Sequence, residues 1–209
     1  MKYVRRVRVR LGAVVVVAAL VSTACWGGAG RTDPPGPTVP TEAPATSTTA
    51  VPDVATVPAV IDEAYLNEVL RVLNRVDGDA MRLIVQEEDL VPPAVERLAA
   101  IYLEEELNSQ LRRWTRQVRE GLDTFKKPPG DKVNSVVRII SNRPDCIYME
   151  TSEDYRVVST AATAPFTMFV ALQLKVTEDE HGFNTTAWMI SLIGASPEGG
   201  DPGLNPCEH

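Results

Sequence analysis

Near residue 130 the hydrophobic pattern of this chain changes period, from one apolar residue every three or four positions to strict alternation. No other feature narrows the possible folds as far. Upstream, the run VPAVIDEAYLNEVLRVLNRV over 57–76 repeats apolar residues at Ile61, Tyr65, Val69, Val72/Leu73 and Val76. Asp62, Asn67, Glu68, Arg71 and Asn74 take most of the other side. That spacing predicts an amphipathic helix. Asp77-Gly78-Asp79 is expected to break or bend it, because glycine weakens a helix and aspartate favours caps, with a short second helix over 79–88. Pro92-Pro93 then opens a long helix, since proline is tolerated in a first turn. Its buried stripe reads Val95, Leu98, Tyr102, Leu107, Leu111, Trp114, Val118 and Leu122, and Gly121 and the KKPPGD loop end it.

Downstream, KVNSVVRIIS over 132–141 reads as a strand, NRPD as a turn, and CIYMET as the start of a second strand that runs on towards Val158. PFTMFVALQLKV alternates: Phe166, Met168, Val170, Leu172, Leu174 and Val176 share one face. Thr167, Gln173 and Lys175 lie on the other, with Phe169 and Ala171 between them. TEDEHGFN turns the chain and TTAWMISLIGA returns it. Helices first and then a meander of about four strands is an α+β order, with one face of an antiparallel sheet on a core. By element order over residues 60–195 the domain resembles the NTF2-like and cystatin-like superfamilies, whose long helix packs on a curved sheet to form a cone. It departs from the NTF2-like pattern in having no strand or hairpin between its helices.

The first 24 residues belong to a different world. Lys2, Arg5, Arg6, Arg8 and Arg10 precede LGAVVVVAALVSTA, and WGGAGRTDPP stops the apolar run short of the ~20 residues a membrane span needs. A charged region, an apolar region and a small-residue cleavage zone together read as an export signal over 1–24. Ala24-Cys25 followed by glycines resembles the lipobox of bacterial lipoproteins, in which the cysteine thiol receives a diacylglyceryl group before cleavage. Ser22 stands where that family usually has Leu or Val, and Ser22-Thr23-Ala24 equally fits an ordinary signal-peptidase site. Either cut falls before Cys25. The resemblance implies a lipid on Cys25 and a place at the outer face of a cell membrane; the alternative is a secreted protein. It points to a family of exported bacterial lipoproteins of unassigned function, with RPDCIYME as its marker.

Cysteine arithmetic follows from that. There are three, Cys25, Cys146 and Cys207. An odd cysteine in an exported chain asks for an explanation, and a lipid on Cys25 with a Cys146–Cys207 disulfide uses all three. Two unpaired thiols are the alternative. Between signal and domain, residues 26–57 carry Pro34, Pro35, Pro37, Pro40, Pro44 and Pro52 among Thr, Ala and Val, with no aromatic after Trp26 and no periodicity. Such a composition reads as a disordered tether with a reach on the order of 100 Å at ~3.1 Å per residue. Residues 58–209 then form a single domain. The chain carries a formal charge of -7, and removing the five basic residues of the signal leaves -12. That balance disfavours nucleic acid as a partner.

Few residues suggest chemistry. No GxSxG, Walker or HExxH pattern occurs, and neither histidine, His181 or His209, falls on an inward strand face. No catalytic residue, metal site or cofactor is expected. Asp154-Tyr155 is an acid and phenol pair at a strand end, with a solvated end as its plain alternative. Tyr65, Tyr102, Trp114, Phe166 and Trp188 are candidates to line a cone pocket, or else simply core. Arg112, Arg116 and Arg119 fall on one helical stripe that is a candidate surface for an acidic partner, or a solvated face with pairs such as Arg116–Glu120. The expectation is a non-enzymatic cell-envelope lipoprotein, bound to the membrane through its N-terminal lipid and engaging an envelope protein through its tethered domain. The alternative is a lipoprotein binding an apolar small molecule.

Overall fold

The computed structural model describes residues 51–176, 179–195 and 205–208, all within a compact unit spanning Thr48–His209. The signal and Cys25 lie outside the described residues. Three helices, α1 (Glu63–Glu87), α2 (Pro92–Ile101) and α3 (Glu104–Glu120), precede four strands, β1 (Val133–Asn142), β2 (Cys146–Asp154), β3 (Phe166–Leu174) and β4 (Trp188–Ala195). The strands form one antiparallel meander in the order β1-β2-β3-β4. The α+β class follows from the change of period, as expected. No helix among the described residues is long and apolar enough to cross a membrane.

Helix α1 begins where Asp62 caps it, its carboxylate accepting from the Tyr65 N–H at 2.8 Å. It then runs 25 residues without a break. The interruption expected at Asp77-Gly78-Asp79 does not occur, because Asp77 and Gly78 meet tertiary partners and Asp79 pairs within the helix. Asp77 turns inward to Lys132, and Asp79 pairs with Arg82 on the surface. Gly78 lies under Asp131, whose Oδ1 comes within 2.2 Å of where a Cβ would stand. The helix propensity given up there, ~1 kcal/mol for glycine, is a small cost beside those contacts.

The opposite correction applies further on. The single long helix expected after Pro92-Pro93 is two helices. Tyr102 and Leu103 are extended and separate α2 from α3. Here the chain pairs with the sheet: Tyr102 forms a parallel bridge with Ile190, and the Leu103 N–H donates to the Ile190 carbonyl at 2.9 Å. The break also turns the Tyr102 ring inward, where it is buried. Glu104, Glu105 and Glu106 occupy the first turn of α3, where negative charge suits the helix dipole.

The inner face of the sheet presents Ile147, Met149, Val170, Leu172 and Ile190 to Leu66, Val69, Leu70, Leu73, Leu98 and Ile101 in one core cluster. Both sheet edges are covered. On β1 the Val136 N–H donates to Asn67 Oδ1 of α1, and on β4 the Ile193 N–H donates to Glu106 Oε2 of α3. The second strand ends at Asp154 rather than running on to Val158, because the chain turns at Tyr155, with the Val158 N–H donating to the Tyr155 carbonyl. On the outer face Cys146, Tyr148, Phe169, Ala171 and Cys207 make a second, smaller core. The Cys146–Cys207 disulfide is formed, with Cα atoms 5.5 Å apart. It accounts for the apolar Phe169 and Ala171 on the otherwise polar face of β3.

The folded unit also takes in residues that composition assigns to the tether. Val54 is buried, its carbonyl accepts from the Ala187 N–H at 2.9 Å, and the Thr56 carbonyl accepts from the Tyr65 hydroxyl at 3.0 Å.

Candidate functional site

Charged side chains gather inside the domain at the end of the sheet where β3 begins and β4 ends. Three come from different elements. Asp77 is supplied by the inward face of α1, Lys132 by the residue before β1, and Glu153 by the penultimate position of β2. All three are buried, and Glu153 is only 1% exposed. The Lys132 Nζ lies 3.4 Å from Asp77 Oδ2, and the Tyr102 hydroxyl donates to Asp77 Oδ1 at 3.1 Å. Lys132 also sits 5.8 Å from the centre of the Tyr155 ring, within cation–π range. Glu153 Oε1 accepts from the side chain of Asn134, its cross-strand neighbour, at 3.0 Å. The other oxygens of that pair, Glu153 Oε2 and Asn134 Oδ1, and Gln117 Oε1 of α3, are buried with no hydrogen-bond partner among the described residues.

A cleft of about 80 Å³ opens onto this cluster. Its floor is Asp77, Lys132 and Tyr155, one wall is Tyr102 with Gln110, Trp114 and Gln117 of α3, and the other is Phe166, Met168 and Ile193 of the sheet. Arg113 joins the lining from the exposed side of α3. Trp114 packs on Phe125 at 5.5 Å between ring centres, and Tyr155 stacks on Phe166 at 5.3 Å.

Protonation follows from these surroundings. Burial lowers the Lys132 pKa, but Tyr155, Tyr102, Asp77 and Glu153 together outweigh it, and its pKa stands well above the ordinary lysine range. Burial, reinforced by Asp77, pushes the Tyr102 phenol well above its usual value, and burial likewise raises Tyr155. These three groups therefore keep their protons at neutral pH. They can donate hydrogen bonds, but an ammonium and two phenols so held do not take protons from a substrate.

Of the five aromatic residues singled out as pocket candidates, the fold brings Tyr102, Trp114 and Phe166 together at the cleft. Tyr65 and Trp188 are not there. Trp188 pairs with Leu174, at the far end of β3 from Phe166, and its Nε1–H donates to the Tyr65 hydroxyl at 2.8 Å inside the closed core. Asp154 and Tyr155 do not act as a pair either. Tyr155 lines the cleft, whereas Asp154 is held by Arg156 at 2.6 Å on the surface, which lowers its pKa to about 2. His181 lies away from the cleft, tilted against Phe183 at 5.2 Å between ring centres and 3.9 Å from Glu96. Sequence reasoning took Asp77 as part of a helix break and did not place Lys132 or Arg113 in a site. The available signal for Asp77 was its place on the apolar stripe of α1, one position after Val76.

Arg112, Arg116 and Arg119 are exposed along α3, and none of them makes an ion pair among the described residues; the Arg116–Glu120 pair is not formed. Arg112 borders a surface trough of about 870 Å³ between the first half of α3 and the outer side of β3 and β4. Leu103, Leu107, Val176, Met189, Leu192 and Pro206 supply its apolar lining, and Glu104 and Glu105 its acidic end. Compared with known proteins, the chain matches no protein-family model, no curated protein and no solved structure.

Proposed function

We propose that this chain is an exported, non-enzymatic lipoprotein, anchored at the outer face of a cell membrane through Cys25, whose tethered domain binds a protein partner along α3. The observation that carries the binding reading is the contrast between two spaces. The cleft inside the domain measures about 80 Å³, against the ~300 Å³ at the low end of small-molecule pockets. The trough beside α3 measures about 870 Å³ and mixes apolar side chains with unpaired charge. The Lys132 ammonium and the Tyr102 and Tyr155 phenols of the cleft hold their protons at neutral pH, which favours binding over catalysis. Its lining is polar at the base, which tells against an apolar small molecule as the cargo. The likeness to the NTF2-like and cystatin-like cone is supported by element order alone.

Two experiments test this. A clickable fatty-acid label should enter the wild-type chain in its host and not a Cys25→Ala variant; equal labelling of both would refute the anchor. A photo-crosslinking amino acid at Arg112 or at Val176 should give one discrete adduct in cells. The same probe at Arg71, on the far surface of α1, should give none. The absence of an adduct at both trough positions would refute the binding surface.

A further inference from the structure

The charge pattern of α3 specifies what a binding face there would bind. Resting on the reading of α3 as that face, we propose that its partner is a second copy of this chain. The two α3 helices pair antiparallel about a two-fold axis that passes between Asn108 and Ser109.

Charge is divided along α3. Glu104, Glu105 and Glu106 fill its first turn, and Arg112, Arg113, Arg116 and Arg119 follow. Glu105 and Arg112 stand two turns apart on one exposed stripe, with Ser109 between them and Arg116 beyond. Along the axis they are separated by ~10 Å, at ~1.5 Å per residue, too far to pair within one helix. Neither forms an ion pair among the described residues. The pattern is complementary to itself when reversed. In two antiparallel copies centred between Asn108 and Ser109, the Glu105 of each copy stands opposite the Arg112 of the other. The two-fold therefore makes this pair twice. Asn108 and Ser109 are exposed and short, and each meets its own counterpart beside the axis, so the helices can approach closely. An isologous interface requires such self-complementarity, in which each residue of a pair meets the other across the axis.

Exposed ion pairs contribute little by themselves. The trough beside the first half of α3 supplies apolar area. Leu103, Met189, Leu192 and Val176, the last 83% exposed, form a lining that a copy docked along the Ser109 side of the helix covers. The chain as a whole carries a formal charge of -7, which opposes self-association at low ionic strength. Salt at about 0.15 M screens that repulsion beyond ~8 Å and leaves the close pairs in place.

Sedimentation equilibrium tests this, because it reads mass irrespective of shape. The chain from residue 25 onward is used, with Cys25→Ser so that neither a lipid nor a free thiol contributes. It should pass from monomer to dimer below ~0.3 mM in ~0.15 M salt. Glu105→Arg sets an arginine against Arg112 across the axis, and Arg112→Glu sets an acid against Glu105. Each variant alone should dimerise at least ~10-fold more weakly, since the two-fold repeats the change. An equimolar mixture of the two variants places opposite charges at both positions and should regain the wild-type affinity. The double variant Glu105→Arg/Arg112→Glu should do the same. Both positions are exposed, so the urea midpoint of every variant should match the wild type at a concentration where all are monomeric. A wild-type chain that stays monomeric, a dimer indifferent to the single reversals, or single variants that stay monomeric when mixed would each overturn the second copy as partner. The binding face can stand without it. A photo-adduct from Arg112 with the mass of a different protein, given by a chain that stays monomeric, overturns the second copy and leaves α3 as a binding surface.

Discussion

Replacing Lys132 by methionine tests the interior of this domain most severely. The side chain keeps its length and loses its charge, so packing changes little. Asp77, only 7% exposed, is left with the Tyr102 hydroxyl and no cation. Breaking a buried pair by removing one partner costs ~3–5 kcal/mol, because a charge is left uncompensated. The retained hydrogen bond from Tyr102 recovers ~1 kcal/mol, so a loss of about 3 kcal/mol is expected. With a urea m-value of ~2 kcal/mol/M the unfolding midpoint should fall by about 1.5 M. Adding Asp77→Asn removes the stranded charge and keeps an acceptor for Tyr102. The double variant should therefore regain most of the loss, giving a coupling of ~2 kcal/mol in the cycle. The pH profile carries a second signature. Lys132 has a folded pKa raised above its unfolded value near 10.5, so its stabilisation is complete below that pH and is lost as pH rises towards the folded value. Tyr102, also raised, adds to the alkaline loss from its unfolded value of 10.0 upward. Wild type should weaken steeply above pH ~10, and Lys132→Met should weaken less. A loss under ~1 kcal/mol for Lys132→Met, or no recovery on adding Asp77→Asn, would refute the buried-pair reasoning.

Two further outcomes follow from other parts of the fold. Removing the Cys146–Cys207 bridge, by reduction or by Cys→Ser at both positions, should cost about 4 kcal/mol in urea unfolding, the loop-entropy value for a separation of 61 residues. A loss below ~1 kcal/mol would mean that the outer cluster holds without its staple. Gly78→Ala should be nearly neutral: about 1 kcal/mol of helix propensity is offset by displacing Asp131 from Arg82, a half-exposed pair worth ~0–1 kcal/mol. Gly78→Ala combined with Asp131→Ala removes the clash, so it should be more stable than Asp131→Ala alone by up to ~1 kcal/mol, measured by thermal denaturation.

The sequence was most legible where a periodicity is long. Four strands, their meander order and the disulfide were all readable, because alternation and cysteine parity are local signals that tertiary contacts only reinforce. The helices were misdivided, in two ways that mirror each other. Asp77-Gly78-Asp79 has the composition of a break, yet Asp77 and Gly78 are retained for partners distant in sequence, Lys132 and Asp131, and Asp79 pairs with Arg82 one turn on. Tyr102-Leu103 has no breaker at all, and yields because the Ile190 backbone pairs with it. The only local trace of that break was the acid triplet Glu104–Glu106, which marks a first helical turn. The cleft was half legible for a related reason. Tyr102, Trp114 and Phe166 stood out as aromatic. The groups that give it chemistry, Asp77, Lys132 and Arg113, come from different elements, and no spacing in the sequence foretells that they meet.

The bond between Val54 and Ala187 has a mechanical meaning. It places the entry of the chain beside the start of β4, whereas the cleft lies where β4 ends and β3 begins. Six residues of strand, on the order of 20 Å, separate the two. A pull transmitted along the leading segment is thus taken first by a single backbone bond and by the packing of Val54, at the end of the sheet remote from Lys132. Strain there can peel the first few described residues from the domain while the charged interior at the other end stays intact.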